Sequence, residues 1–375
     1  MVSEYKICTR CIMDTSDSEI RFNEWGVCNH CIQHDITAGL LVPNPEIAKI
    51  ELEKLVANVK ESGKGKQYDC IIGLSGGVDS TYVALLVKRL GLRPLAVHLD
   101  NGWNSELAVK NIENIVNKLG IDLYTIVIDW AEFKDLQIAY LKAGVVDLEA
   151  ISDQAIFSTM FKLAKKNNIR YVIGGTNVVT ESIMPQTWYY PAKDDLINLL
   201  DIYKKFGSGR KLKTYPKFSF LRGQFLGQTI KLEWISILNL VPYIKSEIKL
   251  EIMDQLGWRD YGGKHHESII TKFYQCYILP RKFGIDKRRA HLSNLVCSSQ
   301  ITREEALMEI KLPFYKDENE KNNDIEYFKK KLSLTQEDFD AIMNGPVRSH
   351  YDFKNDKWIR DLFFKGVSLK RKLFN

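Results

Sequence analysis

A short, mostly apolar run, YDCIIGL at residues 68–74, passes without a break into SGGVDS at 75–80, and few folds accommodate that junction. Its β-branched residues predict a buried strand. Val83, Leu86, Val87 and Leu90 then recur at helical spacing, and Gly91 is placed to end that helix. A strand, a glycine turn and a helix start make an anion site, because the first-turn amides lack partners within the helix and its dipole favours negative charge there. Gly76 and Gly77 let the backbone approach a phosphate oxygen, and Ser75 and Ser80 add hydroxyl donors. The plainer alternative is a glycine turn whose Ser and Asp merely cap the helix.

The residues that follow favour the first reading. PLAVHLDNGW at 94–103 predicts a second strand ending at Asp100-Asn101-Gly102, and Val109, Ile112, Val116 and Leu119 predict a helix. LYTIVID at 123–129 predicts a third strand, and Ser152 is placed to cap a helix carrying Ile156, Met160 and Leu163. RYVIGGTN at 170–177 predicts a fourth strand with its own glycine turn. Strands alternating with helices imply an α/β fold with a parallel sheet covered on both faces. Its ligand binds beyond the C-terminal strand ends, where Ser75, Asp100 and Gly174-Gly175-Thr176 fall. The loop lacks the G-K-S/T of a Walker A motif. SGGVDS instead resembles the PP-loop of ATP pyrophosphatases, which implies a Rossmann-like domain splitting ATP into AMP and pyrophosphate. On that resemblance Ser75, Gly76, Gly77, Val78, Asp79 and Ser80 hold the pyrophosphate, with His98, Asp100, Gly174, Gly175 and Thr176 completing the ATP site.

Near the N-terminus, Cys8 and Cys11 are two residues apart, as are Cys28 and Cys31, with sixteen residues between the pairs. This spacing fits a zinc knuckle in which four thiolates surround one ion, a structural site with no position open for chemistry. His30 and His34 are alternative ligands, but His30 sits inside its knuckle and is expected to face solvent. The 53 Lys and Arg against 47 Asp and Glu leave a net charge of +6, too small over 375 residues to require a nucleic-acid partner. No run approaches the roughly 18 apolar residues of a membrane span, and the first residues lack the apolar core of a secretory signal. The expectation is a cytoplasmic protein, not membrane-bound, with reduced thiols.

Punctuation divides the chain into a zinc module at 1–40, a helix and linker at 41–66, a PP-loop ATP-binding domain at 67–208 and a mostly helical, substrate-binding region at 209–375. KDENEKNND at 316–324 has no apolar residue and is expected to be an exposed loop, whereas Thr302 and Glu305 form a capping box. The basic end KRK at 370–372 reads as a solvated helix end.

CTRCIMDTSD, GVCNHC, SGGVDS, HLDNGW, GGTN, YGGKHHES and KFGIDKRRAHLS together resemble the N-acetyl sugar amidotransferase family across about residues 5–310. The resemblance implies conversion of an acetamido to an acetamidino group on a nucleotide-linked N-acetyl sugar, with ATP and ammonia. Such chemistry needs Mg²⁺, for which Asp79 and Asp100 are the candidates, although Asp79 equally suits a helix cap. Lys264, Lys282 or Arg281 would stabilise charge at the α-phosphate or bind substrate, and His265 would accept a proton from ammonia. Asn101, Asn177, Arg281, Arg288 and Arg289 are the candidate substrate ligands. Each C-terminal candidate has a plainer reading as a solvated polar residue. Val2 rules out an N-terminal-nucleophile glutaminase at the second position, and neither Cys70, Cys276 nor Cys297 sits in a nucleophile elbow, so a separate glutaminase subunit is expected. A homodimer is compatible with these constraints. Two competing functions are a tRNA-modifying PP-loop enzyme, thiolating or lysidine-forming, and a non-catalytic zinc protein that senses nucleotide. Against the first, Val78 stands where several thiolation enzymes carry lysine and no second cysteine pair follows the loop.

Overall fold

A computed structural model describes residues 4–263 and 266–374, with side chains as far as residue 368. Five strands, β1 (Cys70–Gly73), β2 (Pro94–Asp100), β3 (Asp122–Val127), β4 (Tyr171–Gly174) and β5 (Glu233–Ser236), form one sheet in the order β3-β2-β1-β4-β5. Every pairing is parallel, with Cys70 in register with both Pro94 and Tyr171. The central strand β1 is apolar throughout because both its faces are covered. Successive side chains go to opposite cores: Ile71, Leu95, Val97 and Val172 to one, Cys70, Ile72, Ala96, Tyr171 and Ile173 to the other. Winding reverses between β1 and β4, which opens a crevice beyond their C-terminal ends.

The helices Val78–Arg89, Glu106–Leu119 and Lys245–Leu256 contribute to the second core, through residues such as Val83, Ile112 and Ile252. The helices Trp130–Ala143 and Ala150–Lys166 cover the other face, through Phe133, Leu136 and Ile151. Among the described residues, no helix is long and apolar enough to cross a membrane.

In its fold and N-terminal module the structure differs from the sequence expectations in four places. Ser152 does not cap its helix, which starts at Ala150 after Glu149. Residues 316–324 are not a loop: Asp317 accepts from the Glu320 amide at 2.8 Å and starts the helix Glu318–Leu332, whose Phe328 and Leu332 are buried. A strong N-cap with acidic residues in the first turn outweighed the lack of apolar residues there. The four-residue β5 shows no two-residue alternation strong enough to mark it. It comes from beyond residue 208, so the boundary drawn there cuts the sheet. His30 does not face solvent; its Nε2 lies 2.7 Å from a carboxylate oxygen of the buried Asp17.

Candidate active site and metal centre

The loop after β1 turns at Gly76, whose φ is +87°, a conformation that favours glycine. The Gly76 carbonyl accepts from Trp258 Nε1 at 2.7 Å and Tyr261 Oη at 2.9 Å, so the turn is fixed from outside. Ser75 Oγ accepts from the Gly77 amide at 3.2 Å and lies 3.2 Å from Ser80 Oγ. Gly77 precedes the helix Val78–Arg89, and no side chain caps it. The alternative reading, with Ser or Asp as a cap, is therefore not adopted, and the first-turn amides are open to an anion. Across the crevice, Gly175 lies against the helix start: a Cβ there would meet the Asp79 carbonyl carbon at 3.1 Å. Asp79 is steadied by the Tyr243 hydroxyl, which donates to its Oδ1.

Two cavities meet at this loop. The first, about 570 Å³, extends from Ser75, Asp79, Gly175 and Thr176 to Lys245, Lys249, Arg288 and Phe314. The second, about 470 Å³, runs over the ends of β1 and β2, past Leu74, Val97, His98 and Asn101 to Glu149 and Asp153. Ser75, Ser80, Glu267, Gln275, Lys287 and His291 line both, so the two are arms of one cleft. At the junction Lys287 is only 9% exposed, its Nζ 3.4 Å from Glu149 Oε2. Glu267 Oε1 accepts from Ser75 Oγ at 3.4 Å. His98 Nδ1 lies 2.9 Å from the Leu74 carbonyl and its Nε2 3.0 Å from Asn104 Nδ2. These partners suit the neutral ring with the proton on Nδ1, and burial holds its pKa below the ordinary value.

The structure brings together only part of the proposed C-terminal set. Lys264 and His265 lie outside the described residues. Lys282 lines neither arm; its Nζ donates to the carbonyls of Ile342 and, at 2.8 Å, Gly345, closing the end of the helix Gln336–Asn344. Arg281 lies over the Tyr277 ring, 4.4 Å from its centroid, and is exposed. Arg289 reaches away from the cleft to the Ile12 carbonyl and Asp14, each at 3.0 Å. Asn177 is buried and spent on capping, its Oδ1 accepting from the Thr180 amide at 2.9 Å. Asp100 accepts from the Gly102 amide at 3.0 Å and lines neither arm, so it does not join Asp79 as a cation ligand in the cleft. Arg288 and Asn101 do line the cleft, one in each arm. Sequence reasoning missed Lys287, Glu267, His291 and Tyr243. The first three sit within the motifs quoted above, but nothing in the sequence separates them from their neighbours.

Cys276 lines the first arm, yet burial pushes its thiol up to about 11, which does not suit a nucleophile. Burial likewise raises Cys70.

The Sγ atoms of Cys8, Cys11, Cys28 and Cys31 lie within 4.8 Å of one another, and all four side chains are fully buried. Cys8–Cys31 is 3.8 Å, Cys11–Cys28 3.7 Å and Cys28–Cys31 3.7 Å. Zinc–thiolate bonds of about 2.3 Å in a regular tetrahedron give sulfur–sulfur edges of about 3.8 Å, so the cluster fits the ion. The amides of Cys11 and Cys28 point at Cys8 Sγ from 3.4 and 3.2 Å, as a thiolate would require.

Residues 267–365 match the family model of the LPS biosynthesis protein WbpG-like C-terminal domain, and residues 49–214 match that of NAD synthase. Together the two matches make the chain similar to WbpG-like proteins of the PP-loop ATP pyrophosphatase type. An uncharacterized protein of Methanocaldococcus jannaschii is 29% identical over 45% of this chain and 58% of its own length. The glutamine-hydrolyzing GMP synthase of Pyrobaculum aerophilum is 33% identical over 34% of this chain and 24% of its own. The chain thus spans just over half of one curated relative and about a quarter of the other. Among solved structures, the NH3-dependent NAD synthetase of Campylobacter jejuni covers 71% of this chain and 97% of its own, at 17% identity and a TM-score of 0.30, too slight a likeness to bear on function.

Proposed function

We propose that the chain is an ATP-dependent, ligase-type amidotransferase that converts the acetamido group of a nucleotide-linked N-acetyl sugar into an acetamidino group. The observation that carries this reading is the two-armed cleft meeting at the PP-loop beside a buried lysine. Pyrophosphate is held by the loop amides with Ser75 and Ser80. The second arm takes adenosine, since Leu74, Val97 and Leu99 offer flat apolar walls. The first arm takes the sugar, with Lys245, Lys249 and Arg288 facing its anionic groups.

An amide carbon resists ammonia because its oxygen leaves poorly. In the proposed reaction that oxygen attacks the α-phosphorus and pyrophosphate departs. Ammonia then adds to the activated carbon, its proton is lost, and AMP leaves with the oxygen. Lys287 stands where charge builds up on the α-phosphate, and His291 stands within the same junction. Asp79 would hold Mg²⁺, which supplies charge neutralisation on the phosphates, and the four cysteines would hold a structural zinc. A separate glutaminase supplies ammonia, and the reaction runs in the cytoplasm, where ATP and reduced thiols are found.

The test is incubation with ATP, Mg²⁺, ammonium and a panel of nucleotide-linked N-acetyl sugars. AMP, pyrophosphate and an acetamidino sugar are expected in equal amounts. AMP formation stimulated by tRNA and by none of the sugars would overturn the reading.

A further inference from the structure

The helix Lys287–Cys297 has two working faces. Lys287, Arg288, His291 and Leu295 line the cleft. Arg289, Ser293 and Cys297, four residues apart, meet the cysteine module instead. Arg289 Nη1 donates to the Ile12 carbonyl at 3.0 Å and pairs with Asp14 Oδ2 at 3.0 Å. Ser293 Oγ accepts from the Ile12 amide at 3.2 Å. Cys297 Sγ points its donor at Cys31 Sγ from 3.6 Å. At 3.6 residues per turn the centres of these two stripes lie roughly 170° apart, on opposite sides of the helix. A second clamp follows the helix, where Arg303 donates to the carbonyls of Cys8 and Cys11 at 2.9 and 3.0 Å. Ile12, between those cysteines and the helix, packs with Leu292 and Ala306 in a small core of its own.

We propose that the metal centre is a splint for the cleft: metal-ordered knuckles hold Arg289, Ser293 and Cys297, and through them set where Lys287, Arg288 and His291 stand. Cys297 is a positioning residue that donates its S–H to the Cys31 thiolate without ligating the metal. The chemistry of the partners favours this. Four thiolates around one dication leave net negative charge, which an S–H donor offsets, and such outer contacts fix the orientation of first ligands. The Ile12 amide and carbonyl, both used by the helix, belong to the residue just after Cys11, so they are placed only when the knuckle is closed.

The inference rests on the proposed ATP and zinc sites, but its test does not need turnover. Zinc is removed from the full-length protein with a chelator and restored, and amide exchange is followed by peptide. Exchange over residues 287–297 should rise on removal and return with zinc, while β1 and β4 stay protected. Binding of a non-hydrolysable ATP analogue should weaken and recover in parallel. Cys297→Ala should lower metal affinity roughly 10- to 100-fold, the usual cost of losing such a contact. It should also shift the thiolate charge-transfer bands of the Co²⁺-loaded protein, and Cys297→Ser, which keeps a donor, should restore both. Unchanged exchange over 287–297 on zinc loss would overturn the splint, even if the sugar chemistry proves right. Failure of every sugar as a substrate, with exchange still zinc-dependent, would overturn the function and leave the splint standing.

Discussion

Two segments approach the cleft, SGGVDS at 75–80 and the cation-rich stretch at 280–291, and they deliver their residues very differently. From the first, Ser75, Gly77, Val78, Asp79 and Ser80 all line the first arm. From the second, Lys287, Arg288 and His291 do so, while Arg281, Lys282 and Arg289 go elsewhere. The reason is the distance over which each geometry is decided. A strand end, a glycine turn and a helix start are within ten residues, so the loop carries its own instructions. The second segment passes from the π-helix Tyr274–Phe283 through Gly284 into another helix, and consecutive cations fan out to different faces. Which face meets the cleft is set by Ile12, Asp14 and the carbonyls near residue 343, all far away in sequence.

The largest effect expected is a direct test of that contrast. Lys287→Ala should lower AMP formation at least about 100-fold, the scale for removing a preorganised charge at a developing anion. Arg281→Ala should leave turnover unchanged, since its cation–π contact is exposed. Steady-state AMP release, with melting temperatures as a check on folding, decides between them. The opposite ranking would mean that the cleft has been assigned the wrong cations.

The same contrast explains what was legible in the sequence. Four of five strands were readable from apolar runs, three of them closed by glycine, and the parallel sheet followed from their alternation with helices. The cysteine cluster was readable from spacing alone, because two short knuckles each fix a pair of thiols. β5 was not readable: Glu233–Ser236 is an edge strand of four residues with alternating partial exposure. Nor could the spacing show that Asn177 and Lys282 would be consumed by helix ends, since hydrogen bonding to a cap or a distant carbonyl leaves no periodic trace.

Within the loop, Ser75→Ala should weaken turnover about 10- to 100-fold, the equivalent of one hydrogen bond to a charged group, about 1.5–3 kcal/mol. Its far-ultraviolet circular dichroism should be unchanged, because the side chain bonds only within the loop and to Glu267. Near-full activity would displace the anion from this loop.

Lys282 sharpens the comparison from the other side. Lys282→Ala removes an ammonium from the carbonyls that end the helix Gln336–Asn344, a contact favoured by the helix dipole as well. Stability should fall by about 1 to 2 kcal/mol in urea titration, with kcat and KM for ATP as in the parent. A loss of kcat without a loss of stability would return Lys282 to the cleft.

The smallest effect separates two buried histidines in the same way, one lining the cleft and one packing the C-terminal region. His350 stacks on Tyr190 at 4.3 Å between ring centres, and its Nδ1 lies 2.7 Å from Asn198 Oδ1. Burial, opposed by Asp147 and Asp195 and aided by Lys193, pushes its pKa down to about 4 from 6.5. The unfolded chain therefore takes up a proton near pH 6.5 that the folded chain refuses until about pH 4. Acidification between those values favours unfolding, and above them the contribution is constant. Going from pH 7 to 6 should cost about 0.7 kcal/mol from this group, on the scale of 1.36 kcal/mol per unit of pKa difference. His350→Gln, which keeps a donor for Asn198, should flatten that slope in urea titrations while leaving ATP binding intact. His98 is lowered by burial too, but it lines the second arm. Replacing it should alter the pH dependence of ATP binding, which His350→Gln leaves alone. If His350→Gln retained the full slope, the proton uptake would belong to the cleft and not to the packing around Tyr190.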